Sequence, residues 1–228
     1  MKRSQINRII EESIAFLEKH GFHLPPFAFF SPADWAEKGR EYDEIRDNML
    51  GWDVTDYGMG DFEHIGLTLF TIRNGSLTNP AYPKPYAEKI LISLPGQVTP
   101  EHFHWHKTED IICRAGADLV MRLISSDENE EHADTPVTVS IDGRRVTMPS
   151  GTVLTLHNGE SITLPTGLYH SFWAPEGGEA CLIGEVSMVN DDNTDNRFYE
   201  RQGRFPEIEE DEPARWLLCS EYPPAKQE

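Results

Sequence analysis

Between Gly96 and Gly116 the chain sets His102, His104 and Glu109 within eight residues, with a glycine at each end of the run. Residues two apart on a strand point to the same face, so an extended segment here presents two imidazoles to one point. Glu109 then opens the next strand, after a turn near Lys107 and Thr108. A second cluster, Gly-x5-Pro-x-Gly-x2-His from Gly159 to His170, supplies a third imidazole. Three histidines and one carboxylate suit a borderline divalent transition metal, with positions left open for a substrate. His106 shares the parity of the pair and is placed at the mouth of such a site.

From about Gly51 the sequence reads as short strands punctuated by turns. The expected strands are 67–72, 87–94, 101–106, 109–114, 118–125, 137–141, 144–148, 152–157, 161–164, 169–174 and 180–188. Asp142-Gly143 between two alternating runs signals a two-residue hairpin. Many short strands at this spacing predict an all-β antiparallel sandwich or barrel.

The first fifty residues differ. Ser4 is the expected N-cap of a helix with Ile6, Ile9, Ile10, Ile14 and Leu17 at helical spacing, ended by Gly21. Leu24-Pro25-Pro26 forbids continuation, and Ser31-Pro32 starts a second short helix running towards Gly39. Trp35 on that helix is expected to pack on the main body. One domain follows, with residues 1–50 a helical extension and 51–228 the barrel and its tail. In the tail, the acidic stretch Glu207–Pro213 precedes the apolar Trp216–Cys219, read as an edge strand or dimer contact.

Of the 228 residues, 39 are acidic against 20 Lys and Arg, a formal net charge of −19. A field of that sign repels nucleic acid and anionic lipid and disfavours a phosphorylated substrate. No apolar run approaches the length of a membrane span, and Met-Lys-Arg-Ser-Gln-Ile-Asn-Arg is too polar to open a secretory signal. Cys113, Cys181 and Cys219 are scattered and odd in number, which fits a reducing cytoplasm better than a disulfide framework.

Together, Gly-x5-His-x-His-x4-Glu-x6-Gly and Gly-x5-Pro-x-Gly-x2-His resemble the two motifs of the cupin superfamily. The second lacks the customary asparagine four residues after its histidine, where this chain has Ala174, a position that is not a ligand. The resemblance implies a double-stranded β-helix, or jelly-roll barrel. Cupins host isomerases, oxygenases and non-catalytic sugar-binding modules, so the fold alone does not choose. Leu24–Phe30, Gly51–Asp56, Lys84–Lys89, His102–Trp105, Lys107–Ile111 and Asp195–Phe198 together resemble the cupin-type D-lyxose isomerases. That resemblance implies manganese on His102, His104, Glu109 and His170, interconversion of D-lyxose with D-xylulose and D-mannose with D-fructose, and a homodimer.

Such a reaction moves hydrogen between C1 and C2, so acid and base groups must stand beside the sugar. Lys89 and Glu185 interrupt apolar strands and face either the cavity or solvent. Lys107 precedes the carboxylate ligand by two residues, at a turn that also suits an exposed lysine. Lys107 and Glu185, with Glu109 beside the metal, are the expected catalytic groups, and Lys89, Asp192 and Arg197 the expected sugar-binding groups. Asp192 and Arg197 follow the last barrel strand, where a loop either covers the cavity or lies on the surface. Trp105, His106 and Trp173 are further wall candidates, with core packing favoured for Trp105. A cupin oxygenase on the same ligands and a non-catalytic sugar-binding cupin are the competing readings. Against the last, four inward polar groups are costly to bury without a purpose.

Overall fold

A computed structural model describes residues 1–192, 194–200 and 203–226. Along the chain, its first strands are β1 (Gly51–Thr55), β2 (Leu67–Arg73), β3 (Tyr86–Ser93), β4 (Val98–Phe103), β5 (Glu109–Gly116), β6 (Leu119–Ser126) and β7 (His132–Ala133). There follow β8 (Val137–Ile141), β9 (Arg144–Met148), β10 (Thr152–Leu156), β11 (Ser161–Leu164), β12 (Tyr169–Trp173), β13 (Cys181–Met188) and β14 (Arg197–Phe198). They form two curled antiparallel sheets, ordered β1-β2-β3-β13-β5-β11-β8-β9 and β10-β6-β12-β4-β14, with β7 paired to the end of β6. This is the double-stranded barrel that the two motifs imply.

One core lies between the sheets and includes Leu67, Leu69, Leu91, Ile111, Leu123 and Phe172. A second lies outside the larger sheet, where α1 (Arg3–Lys19) lays Ile6, Ile9, Ile10 and Leu17 against Trp52, Val54, Phe70, Ile90 and Ile92. The central strands β2, β3 and β13 are therefore covered on both faces and read as nearly continuous apolar runs. Alternation along them decides orientation: Leu91 and Ile183 face the barrel interior, whereas Ile90, Ile92 and Leu182 face α1. Lys89 and Glu185 share the parity of Leu91 and Ile183, so both charges point inward.

Several local expectations change. Helix α1 begins after Lys2, whose side chain makes no cap bond. Ser4 instead lies inside the first turn, with its backbone N–H and hydroxyl both donating to Asp211 of the tail, at 2.9 and 2.7 Å. A carboxylate from a distant segment satisfies an orphan N–H that a local cap would otherwise take. At the other end Gly21 (φ 68°) turns the chain out, and Phe22 N–H bonds the Leu17 carbonyl at 2.9 Å. The second helix is α2 (Pro32–Ala36), capped by Ser31 and Asp34, and shorter than expected; a further turn, α3 (Asp43–Asp47), follows it. Trp35 is buried and packs on Tyr222 of the tail, ring centroids 4.1 Å apart.

Trp216–Cys219 forms no strand. Leu218 and Cys219 are buried, and Cys219 N–H donates to the Trp52 carbonyl at 2.7 Å, so the apolar tail covers the outer edge of β1. The acidic stretch is likewise tied down, with Arg3 forking to Glu210 and Glu221. Asp142 and Gly143 both take positive φ (48° and 78°), the two-residue turn expected between β8 and β9. Among the described residues no helix is long and apolar enough to cross a membrane.

Candidate metal and sugar site

His102 and His170 are direct cross-strand partners on β4 and β12. Glu109 opens β5, as expected. His104 arrives differently: β4 spans Val98–Phe103, not 101–106, and His104 lies one residue past its end. Its ring is aimed by Asp195, whose backbone carbonyl accepts from His104 Nδ1 at 2.7 Å. The Asp195 carboxylate also accepts the backbone N–H groups of His106 (2.9 Å) and Lys107 (3.0 Å), which fixes the whole turn.

One nitrogen from each of His102, His104 and His170 lies within 4.8 Å of the others. Each Nδ1 faces a backbone carbonyl: Pro100 at 2.8 Å, Asp195 at 2.7 Å and Leu168 at 3.0 Å. A carbonyl only accepts, so Nδ1 carries the proton and Nε2 keeps its lone pair when the ring is neutral. Burial, then the neighbouring imidazoles of His170 and His104, push the His102 pKa well below its ordinary value, so that ring is neutral. Glu109 closes the group, its oxygens 3.4 Å from His104 Nε2 and 3.2 Å from His170 Nε2. His170 Nε2 is buried without a hydrogen-bond partner, so two acceptors face each other across that 3.2 Å. A cation between them removes the conflict, and the donor set N3O fits a divalent transition metal.

Beside this group Lys107 Nζ, almost completely buried, lies 2.8 Å from Glu109 Oε2 and 2.9 Å from Glu185 Oε1. Burial alone would lower its pKa; the Glu109 and Glu185 carboxylates outweigh that and keep the ammonium charged. Lys89, opposite Glu185 across β3 and β13, is equally buried, with Asp192 Oδ1 at 3.5 Å and Glu185 Oε1 at 3.6 Å. Burial pushes Asp192 up, but the Lys89, Arg204 and Lys107 charges hold its carboxyl well below the usual range. The solvated-surface alternative is thus excluded for Lys89, Lys107 and Glu185.

Arg197 is not brought to this cavity. Its Nε donates to Glu130 at 2.9 Å on the outer rim, and Arg204 takes the place expected for it, 2.8 Å from Asp53 and 3.2 Å from Asp192. Trp105 is 39 % exposed and donates to Glu130 at 2.7 Å, so it packs in no core. His106 is exposed as well, and the apolar walls come instead from residues such as Leu67, Leu69, Ile111, Phe172 and Phe198. Sequence reading missed Tyr57, which lines the cavity, Asn190, whose Oδ1 accepts from Lys89 Nζ at 2.7 Å, Asp195 and Arg204. Asp195 alone carried a signal, standing in the Asp195–Phe198 phrase.

The model of the D-lyxose isomerase family matches residues 1–222. The chain belongs to that family. It is an aldose–ketose isomerase by that membership. A D-lyxose/D-mannose isomerase of Serratia proteamaculans is 51 % identical over 223 residues, 97 % of this chain and 98 % of the relative. One from Escherichia coli O157:H7 is 52 % identical over the same shares. Among solved structures, Acinetobacter sp. DL28 L-ribose isomerase in complex with L-ribose superposes with a TM-score of 0.59. It covers 92 % of this chain and 98 % of that one at 16 % identity, a likeness of fold alone.

Proposed function

We propose that this isomerase interconverts D-lyxose with D-xylulose and D-mannose with D-fructose, using a divalent metal, manganese by preference, held by His102, His104, Glu109 and His170. The observation that carries the reading is the convergence of three Nδ1-anchored imidazoles and a carboxylate beside two buried ammonium groups. The names of the relatives supply the sugars. A divalent ion bound there would polarise the sugar carbonyl and favour negative charge on O1 and O2.

The remaining steps fall to side chains. The Glu185 carboxylate takes the proton from C2 of the aldose, and the C1=O1 electrons move onto O1 as Lys107 protonates it. Lys107 then recovers the proton of O2 while C1 receives one from Glu185, which leaves the ketose and restores both groups. A lysine held charged by two carboxylates enters the sequence protonated, the state that the first transfer to O1 needs. Lys89 and Asp192 orient sugar hydroxyls. Thr99 Oγ1 and Arg204 Nη1, buried without hydrogen-bond partners on the same cavity, are further places for those hydroxyls. Purified protein supplied with manganese and D-lyxose or D-mannose under nitrogen should form the ketose. Turnover that requires oxygen would replace the reading with an oxygenase.

We further propose a single domain with residues 1–50 as its extension, a homodimer, and residence in the cytoplasm. The seat of α1 on the sheet supports the first, and three buried free thiols the last. The uncovered edge strands β9 and β10, the latter with Val153 54 % exposed, support pairing of two copies. Light scattering at micromolar concentration should give twice 26.0 kDa, and a monomeric mass would dispose of the dimer.

A further inference from the structure

Lys89 and Lys107 reach the cavity from different elements on long, rotamer-rich stems, and an ammonium acts at a defined atom only if that freedom is removed. Glu185 lies near both, but among the described residues one other side chain is within hydrogen-bond distance of both. Asn190, just past the end of β13, places Oδ1 2.7 Å from Lys89 Nζ and 3.1 Å from Lys107 Nζ. An amide accepts only through its oxygen, and here that oxygen meets two cations. The opposite flip would set N–H groups against ammonium groups.

The backbone of Asn190 is clasped in turn. Its N–H donates to Asn74 Oδ1 at 3.0 Å, and Asn74 Nδ2 returns a bond to the Asn190 carbonyl at 2.9 Å. Asn74 is joined to Asn48, which follows α3, by Asn48 Nδ2 to the Asn74 carbonyl at 3.2 Å. Asn48 and Asn74 are each 5 % exposed. A hydrogen-bonded network of this kind, buried at Asn48 and Asn74, favours one arrangement.

We propose that Asn190 is the positioning residue for both cavity lysines, and that the Asn48–Asn74–Asn190 ladder anchors it to the helical extension. The proposal rests on the isomerase reading above. Asn190 touches no reacting atom; it acts by fixing where two Nζ atoms stand.

Two variants at position 190 separate this role from simple support. Asn190→Leu keeps approximate size and loses both interactions. Asn190→Asp keeps acceptors for the ammonium groups but sets a carboxylate against Asp192. With manganese content and melting temperature recorded alongside, Asn190→Leu should lose about a hundredfold in kcat for D-lyxose, the effect of misplacing a reacting group by about 1 Å. Asn190→Asp should keep kcat within about tenfold of wild type and raise KM, since Asp192 is the part it disturbs. Asn74→Ala, which touches neither lysine, should lower kcat at unchanged metal content. Wild-type kcat in Asn190→Leu, or equal kcat losses in the Leu and Asp variants, overturns the proposal. If Asn190→Leu does not fold, the Asp and Asn74→Ala variants decide it by the same criteria. Crystal structures decide it apart from activity: Lys89 and Lys107 Nζ should be displaced in Asn190→Leu and in place in Asn190→Asp. Unmoved ammonium groups in the Leu variant refute the inference, whereas a wild-type enzyme inert towards D-lyxose and D-mannose refutes only the isomerase reading.

Discussion

His104→Ala is expected to lose most of its bound metal and more than about a hundredfold of turnover while staying folded. Loss of a single supporting contact to a metal ligand typically costs about tenfold to a hundredfold in affinity, and here a ligand itself goes. The fold should survive because β4 ends at Phe103, so His104 adds nothing to the strand ladder. Its ring makes one hydrogen bond, to the Asp195 carbonyl, and the Asp195 carboxylate still holds the turn through the N–H groups of His106 and Lys107. Elemental analysis after gel filtration reads the metal directly. Thermal unfolding gives a second reading: added manganese should raise the melting temperature of wild type and leave the variant nearly unmoved, because only a ligand bound to the native state stabilises it. His106→Ala is the matched control, since His106 is exposed, and it should keep its metal. Full occupancy in His104→Ala would remove His104 from the ligand set.

That result bears on how the site was legible. His102, Glu109 and His170 are fixed by local signals: strand parity, a turn and two glycine-bounded motifs, each within a few residues. His104 was identified by parity as well, yet parity is not what aims it. Its ring is held by a carbonyl ninety-one residues further along the chain, a contact that no periodicity encodes. The same distance effect hides Asn190 and Asp195, polar loop residues whose partners are 83 to 116 positions away, as Asn190 is from Lys107 and Asn74. Arg197 and Arg204 lie in one tail segment with the same chemistry, and only the course of the chain decides which meets Asp192. Strand β1 escaped because Gly51–Thr55 is buried on both faces and includes Asp53, so neither alternation nor hydrophobicity marks it. The strand expected as one reading of Trp216–Cys219 is absent for the converse reason: an apolar run looks alike whether it pairs as a strand or plugs the edge of one.

The chemistry beside the metal should respond most strongly to Glu185→Gln and Lys107→Ala. Glutamine keeps the shape of Glu185 and an oxygen for Lys107 Nζ, now at 2.9 Å, but cannot take a proton from carbon. Lys107→Ala removes the acid and leaves the buried Glu109 and Glu185 carboxylates without their shared cation. Breaking a buried pair in this way costs about 3–5 kcal/mol, so this variant should also melt lower, and its rate must be compared well below that temperature. Removing one acid–base group lowers the rate by about a hundredfold to ten-thousandfold. Both variants should fall in that range when metal is supplied in excess and bound metal is recorded, because Lys107→Ala also removes a contact to the proposed ligand Glu109. Reaction in D2O tests the route as well. A proton held by Glu185 between C2 and C1 can exchange with solvent and leave deuterium on the ketose C1, whereas a direct hydride shift carries none. If Glu185→Gln and Lys107→Ala both keep wild-type kcat with normal metal, the two charges serve only to balance one another, and the transfer between C1 and C2 must be assigned elsewhere in the cavity.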